Sequence, residues 1–246
     1  MNLNDTLEYI AQEFELNPFN LQTYAAEDKI TGWDDGMGAY PIGSVFAVEG
    51  RTLYALIRET KPKMVLELGT RYGCSATHIA SALIKNGSGK LVCVDSDTDA
   101  GSMIPARFRS VVEMVYGNVY DYVRTCKTKF DMVFEDASHQ SELVEAVWAQ
   151  RQKLLNPSGF MISHDAAHPI VGTQVIKGIR ACDVEPKVVL TEPSDCGLAL
   201  YRMKSDIDYT ELSYADVKAL ISERGIKTKA RTKDAMIEAL IDHDSE

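Results

Sequence analysis

The sequence predicts an α/β fold: a doubly wound, mostly parallel sheet of seven strands closed by an antiparallel hairpin, followed by a small C-terminal helical module. Three observations carry this. Short apolar runs alternate with segments of helical periodicity, the pattern of a parallel sheet wrapped by helices. The run Met64-Val65-Leu66-Glu67-Leu68 passes through Gly69 straight into helical spacing, a strand–turn–helix unit. At residues 204–208 the composition shifts to polar and acidic, and two short helical patterns follow.

In chain order, residues 4–14 read as an amphipathic helix with Leu7, Ile10, Ala11 and Phe14 on one face. Residues 32–41 hold three glycines with Trp33, Met37 and Tyr40, either a mobile cover over a site or a connection with Trp33 packed on the core. Residues 42–45 lead into a helix that turns Val45, Val48, Leu53, Leu56 and Ile57 inward. The strand at 64–68 lies between Pro62 and Gly69; the helix after it opens at Ser75 and carries Ala76, Ile79, Ala80 and Leu83. Gly69 and Gly73 let a ligand approach the backbone, and the free N–H groups of the helix start would face an anionic or carboxylate group. The second strand, 91–95, ends in Asp95, an acid placed to accept hydrogen bonds from ribose hydroxyls, which points to an adenosine-type ligand. The turn is G-x-x-x-G and lacks the middle glycine of G-x-G-x-x-G, and Glu67 suits a cationic ligand better than a phosphate by charge pairing.

The third strand, 111–116, follows a helix tail at 106–110 and ends in Gly117-Asn118-Val119. The fourth, 130–136, leads into Asp136-Ala137-Ser138-His139. Leu143, Val147 and Trp148 mark a helix, residues 154–159 a turn, and 160–163 the fifth strand, which ends in His164-Asp165. Side chains beyond the carboxyl ends of such strands point at the ligand crevice. A helix at 170–182 precedes strands 187–190 and 198–201, whose short antiparallel connection weighs against a nicotinamide fold.

Length allows one α/β domain with something small attached: residues 1–204, then a module at 205–246. A hydrophobic fraction of 45% and a charged fraction of 25% are ordinary for a globular protein. The net charge of -10 disfavours broad binding of phosphate backbones across the whole surface, but not a local basic patch. The five cysteines are scattered and form no C-x-x-C, as expected of reduced thiols in a cytoplasmic protein. The N-terminus has neither the basic start nor the apolar core of a signal peptide, and no run is long enough to span a membrane.

Leu66-Glu67-Leu68-Gly69 through Gly73-Cys74-Ser75-Ala76 resembles the first motif of class I S-adenosylmethionine-dependent methyltransferases, which are Rossmann-like. The nearest likeness is to the catechol and caffeoyl-CoA type O-methyltransferases and their cephalosporin-hydroxylase-like relatives, over residues 43–203. The resemblance implies that Glu67 and the turn residues Gly69, Thr70, Tyr72, Gly73 and Ser75 hold the methionine part of S-adenosylmethionine, bordered by Gly43, Ser44 and Val45. It places Asp95 and Ser96 at the ribose, Gly117, Asn118 and Val119 at the adenine, and Asp136 beside the cofactor. An Asn amide offers an adenine edge both a donor and an acceptor, or it serves a turn.

The same resemblance implies a divalent metal, magnesium or manganese, on Asp136, His164 and Asp165, with a histidine in place of the first acid of the relatives' pair. The catechol-type pair is broken, because the residue after Asp165 is Ala166. A histidine ligand shifts preference towards manganese, iron or zinc; the bland alternative is that Asp136 and Asp165 only cap loops. His139 falls where the catechol family carries its general-base lysine, and an imidazole can take a hydroxyl proton near neutrality; alternatively it only starts a helix. His168 is a spare that faces solvent. The motifs of direct DNA base methylation, D/N/S-P-P-Y/F and Pro-Cys, are absent.

The expectation is therefore O-methylation of a hydroxylated small molecule or sugar. In the C-terminal module, Ser213 to Asp216 read as a capping box, Gly225 as a helix stop, and residues 226–233 as a basic loop. Two helices around such a loop resemble SAP-like modules, which implies nucleic acid as a partner; the alternative is a small docking module. Two further readings follow: a methyltransferase acting on a protein or RNA brought in by the module, or an attachment protein with a vestigial pocket. A homo-oligomer stays open.

Overall fold

The computed structural model describes residues 1–30, 44–190, 192–204, 209 and 212–245. The expected cover at 32–41, and Gly43, lie outside the described residues. The order of elements is α1 (Leu3–Phe14), α2 (Pro18–Glu27), α3 (Ala47–Thr60), β1 (Met64–Leu68), α4 (Cys74–Asn86), β2 (Lys90–Asp95), a 3-10 turn (Ala106–Val111) and β3 (Val112–Tyr116). It continues with α5 (Val119–Thr125), β4 (Phe130–Glu135), α6 (Ser141–Trp148), α7 (Arg151–Leu154), β5 (Leu155–Ser163), α8 (Gly172–Arg180), β6 (Lys187–Val189), β7 (Leu198–Arg202), α9 (Tyr214–Glu223) and α10 (Lys233–Ser245). Two compact units result, Met1–Met203 and Lys204–Glu246.

In the first unit seven strands form one sheet in the order β3-β2-β1-β4-β5-β7-β6. β1 to β5 are parallel; β7 enters antiparallel between β5 and β6. Alternation along the strands sorts side chains into two layers. Val65, Met132, Phe134 and Ile162 meet α1–α4, while Leu66, Leu68, Val133 and Met161 meet Val123, Val144, Trp148 and Ile179 of α5, α6 and α8. Each fully buried large apolar chain stabilises by roughly 1.5–3 kcal/mol. Trp148 is wholly buried, and its Nε1–H donates to Ser163 Oγ at 2.9 Å, so the polar atom is satisfied.

Two elements differ from expectation. The stretch after Phe14 contains a second helix, α2, started by Asn17, whose side chain accepts from Asn20 N, with Pro18 in the first turn. The expected turn at 154–159 is the irregular start of β5: Phe130 pairs with Leu155 but Met132 with Phe160, so the extra residues bulge, with Ser158 left-handed at φ 61. Among the described residues, no helix is long and apolar enough to cross a membrane.

In the second unit, α9 and α10 bury Tyr209, Val217, Ile221, Met236, Ile237 and Leu240 together. Ser213 caps α9 by accepting from Asp216 N. Between the helices Lys227, Lys229 and Arg231 are exposed.

Candidate active site

Strand order reverses between β1 and β4, and the crevice opens at their carboxyl ends. Backbone pairing continues past the strand tips: Gly69 N donates to Val94 O at 2.9 Å, Asp136 N to Leu68 O at 2.8 Å, and His164 N to Glu135 O at 3.0 Å. This sets Gly69, Asp136 and His164 side by side. Gly69 has φ +85, and a Cβ there would sit 2.5 Å from Asp136 O and 2.6 Å from Ala137 Cα. Only glycine allows that approach.

The crevice is a cavity of about 840 Å3. Val45, Gly69, Thr70, Ser75, Asp95, Ser96, Val119, Asp136, His139, His164 and Asp165 line it, so most of the sequence-predicted site converges there. Glu67, Tyr72, Gly73, Gly117 and Asn118 are not in its wall. Glu67 is wholly buried behind it, accepting from Ser75 Oγ at 2.6 Å and from Cys93 Sγ at 3.2 Å. Burial pushes its carboxyl up to about 7, against those hydrogen bonds. Ser75, which lines the cavity, links Glu67 to it. The Asn118 side-chain oxygen accepts from Tyr120 N and Asp121 N and caps α5, the turn role weighed above, which leaves its NH2 alone for a ligand.

Asp95 does two things. Its Oδ2 accepts from Thr70 N and Arg71 N, each at 2.8 Å, and its Oδ1 from Asp97 N at 2.9 Å. A carboxylate offers about four lone-pair sites, so one remains for a hydroxyl. The acid that would hold the ribose thus also holds the glycine turn.

At the other end of the cavity four titratable side chains cluster. His139 Nε2 lies 2.8 Å from Asp165 Oδ2 and 3.8 Å from Asp136 Oδ1. His164 Nδ1 lies 3.2 Å from Asp165 Oδ2 and 3.5 Å from Asp136 Oδ1. Hydrogen bonds to Asp136 and Asp165 raise His139 to about 10, so with these two carboxylates bare it is an imidazolium at neutral pH. Burial opposes the charge of Asp136 and Asp165, but the two histidines outweigh it and hold both carboxyls low. Asp165 has a left-handed backbone at φ 57, a strained conformation for a residue with a Cβ, at the tip of β5.

The donor set fits a divalent cation. His164 Nδ1 is buried without a hydrogen-bond partner while facing two carboxylate oxygens. Asp136, His139 and Asp165 also lie close enough together to share an ion. His168 and Cys196 stand beside Asp165, but His168 Nδ1 accepts from Ile170 N at 3.2 Å and Val171 N at 3.4 Å, so its other nitrogen carries the proton. Burial and then Asp165 push the Cys196 thiol up to about 12. His168 lines the cavity and does more than face solvent.

Glu49 is one residue the sequence reading missed; Phe46, Asp195 and Cys196 of the cavity wall are others. Glu49 sits in the first turn of α3, is buried, and bonds His164 Nε2 at 2.9 Å. Its one local signal is the capping contact with Phe46 N three residues back.

A doubly wound sheet with an antiparallel last strand, a glycine turn after β1 and an acid after β2 is the architecture of class I S-adenosylmethionine-dependent methyltransferases. Consistently, a family model described as a methyltransferase domain matches residues 66–166. The chain shares its fold with the O-methyltransferase TomG from Streptomyces achromogenes, solved in complex with SAM (23% identity, 67% of this chain and 83% of that one, TM-score 0.53). It also does so with an O-methyltransferase from Bacillus cereus in complex with SAH (18% identity, 75% and 100%, TM-score 0.55). The SAH-bound Podospora anserina methyltransferase PaMTH1 is similar as well (17% identity, 81% and 96%, TM-score 0.55). A sequence search of curated proteins gave no significant match.

Proposed function

We propose that the protein moves a methyl group from S-adenosylmethionine to a hydroxyl oxygen of a small hydroxylated molecule or sugar, with a divalent cation held by Asp136, His164 and Asp165. The observation that carries this reading is the convergence of two carboxylates and an unpartnered, buried imidazole nitrogen at the tips of β4 and β5. Oxygen as the acceptor is supported by the O-methyltransferases of the same fold. The sulfonium cofactor supplies an electrophilic methyl, and a bound cation lowers the pKa of the acceptor hydroxyl.

The chain's own residues bind, orient and take the proton. Asp95 has one acceptor site left for a ribose hydroxyl, and Gly69, Thr70 and Ser75 form the wall beside the amino-acid end. Asp136 and Asp165 hold the acceptor end. His139 Nε2 is within reach of the same oxygens and, once another cation neutralises those carboxylates, its free lone pair can take the hydroxyl proton. The acceptor oxygen then bonds the methyl carbon while the carbon–sulfur bond breaks, leaving a neutral thioether.

The test is a methyl-transfer screen over catechols, sugars, peptides and RNA, with and without EDTA. Turnover on a hydroxylated small molecule that EDTA abolishes and Mn2+ restores is expected. Turnover on peptide or RNA alone, or failure to bind S-adenosylmethionine, would overturn the reading. The five free cysteines support a reducing, cytoplasmic setting. For the C-terminal unit, exposed Lys227, Lys229 and Arg231 support contact with nucleic acid. Filter retention that is equal for the full chain and for residues 1–203 would remove that role.

A further inference from the structure

The buried carboxylate of Glu49 takes no part in the reaction itself, yet it bonds directly to His164. Its Oε2 accepts from Phe46 N at 3.0 Å and faces His164 Nε2 at 2.9 Å; its Oε1 accepts from Ser194 Oγ and from Gly197 N at 3.1 Å. Two of the four partners, the N–H groups of Phe46 and Gly197, can only donate towards it, and the set fills the lone-pair sites of an ionised carboxylate. Glu49 thus gathers the start of α3, the β5 tip and the β6–β7 connection onto one charge.

We propose that Glu49 is a positioning residue: it fixes the ring and tautomer of His164 so that Nδ1 presents a lone pair to a cation between Asp136 and Asp165. The inference rests on the cation-assisted reading above. An ionised carboxylate only accepts, so the nitrogen against it, Nε2, must carry the proton. In a neutral ring the other nitrogen then holds the lone pair. That nitrogen is buried, has no hydrogen-bond partner, and faces Oδ2 of Asp165 and Oδ1 of Asp136 at 3.2 and 3.5 Å. Burial disfavours a charged ring, but Asp136, Asp165 and Glu49 together hold His164 well above its ordinary value, so without a cation a proton on Nδ1 lies among these oxygens, and a bound cation takes that proton's place. A carboxylate–histidine–metal chain has this arrangement, and its outer carboxylate both orients the ring and raises its basicity. With Glu49 only 1% exposed, water cannot take over its role.

Glu49→Gln makes the role testable. The amide keeps the volume; with its oxygen accepting from Ser194 Oγ and Gly197 N, its NH2 stands where Oε2 stood, loses the bond from Phe46 N and donates to Nε2, which drives the proton of His164 to Nδ1 and closes that nitrogen to a cation. Mn2+ titrations followed by electron paramagnetic resonance should show binding weakened about 10- to 100-fold against wild type. Two-dimensional 15N spectra of the Zn2+-loaded proteins should show His164 protonated on Nε2 in wild type and on Nδ1 in the variant. A merely structural Glu49 would lower the melting temperature and leave the tautomer unchanged. If wild type binds neither Mn2+ nor Zn2+, the cation-assisted reading falls and this inference with it. If wild type binds and Glu49→Gln binds within about twofold, the inference alone falls. Should the variant not fold, the wild-type spectrum decides: His164 protonated on Nδ1 with Zn2+ bound would overturn the proposal.

Discussion

Gly69→Ala tests the geometry on which the site depends. Two separate costs apply at this position. The backbone is at φ +85, where a residue with a Cβ is disfavoured by roughly 1–2 kcal/mol. The new methyl would also sit 2.5 Å from Asp136 O, 2.6 Å from Ala137 Cα and 2.7 Å from Ala137 N, all backbone atoms that no rotamer change can move. Overpacking of this kind costs roughly 1–3 kcal/mol more. Gly87→Ala is the matched control: φ is +70, and a Cβ there meets nothing within 4 Å. The control therefore isolates the backbone term, and Gly69→Ala should fall below it by about 1–3 kcal/mol, or at least ~2 °C in melting temperature for a unit of this size. Urea unfolding and calorimetry of the two variants measure the difference. Relief of the contact must push Asp136 away from Gly69, so Gly69→Ala should lose methyl transfer far beyond its loss of stability, while Gly87→Ala keeps it. Equal stability of the two variants, or full turnover in Gly69→Ala, would refute the close approach of the β1 and β4 tips.

Three further outcomes follow from the charges. His139→Gln should lower kcat about 10²- to 10⁴-fold with little change in cofactor affinity, read by steady-state kinetics and calorimetric titration; unchanged kcat would remove His139 as the base. In the metal-free protein its imidazole should stay protonated to pH 8 and titrate near 10, and Asp165→Asn should bring that value down towards the ordinary range in NMR titrations. Glu67 has a folded pKa of about 7 against a usual 4.5, so the folded state holds a proton that the unfolded state releases, and stability falls as pH rises from about 4.5 through about 7. Glu67→Gln should flatten that slope and be more stable than wild type at pH 8.5 by an amount on the order of 3 kcal/mol, with no such gain at pH 4.5; parallel unfolding curves at both pH values would contradict it.

Local pattern carried most of the sheet. The apolar runs from Met64 to Leu200 became strands because each is long enough to cross the sheet and is bounded by a turn residue, and the carboxyl-end rule then brought Asp95, Asp136 and His164-Asp165 to one rim. Where a residue also serves the fold around it, the pattern does not show that second duty. Asn118 stands at the expected place but spends its oxygen capping α5, and Glu67 sits on the motif strand but points into the α4 side of the core, where burial rather than a ligand sets its charge. The helix α2 went unread because Asn17-Pro18 is a turn signal as well as a helix start, and only packing decides between them.

Glu49 was illegible for a different reason. Nothing within several residues of it speaks of catalysis, and its partners lie 115, 145 and 148 positions away in the chain. A strand tip advertises its ligands by sequence neighbourhood, because the strand that delivers them also delivers their spacing. The residue that orients a ligand has no such constraint and is drawn from whichever element packs against it. Here that element is the N-terminus of α3, where an acid is already favoured by the helix dipole and by the unpaired N–H of Phe46. The same carboxylate thus satisfies a helix end and a histidine ring at once. An amide in its place turns the shared acceptor at Oε2 into a donor, so the helix end and the ring lose it together.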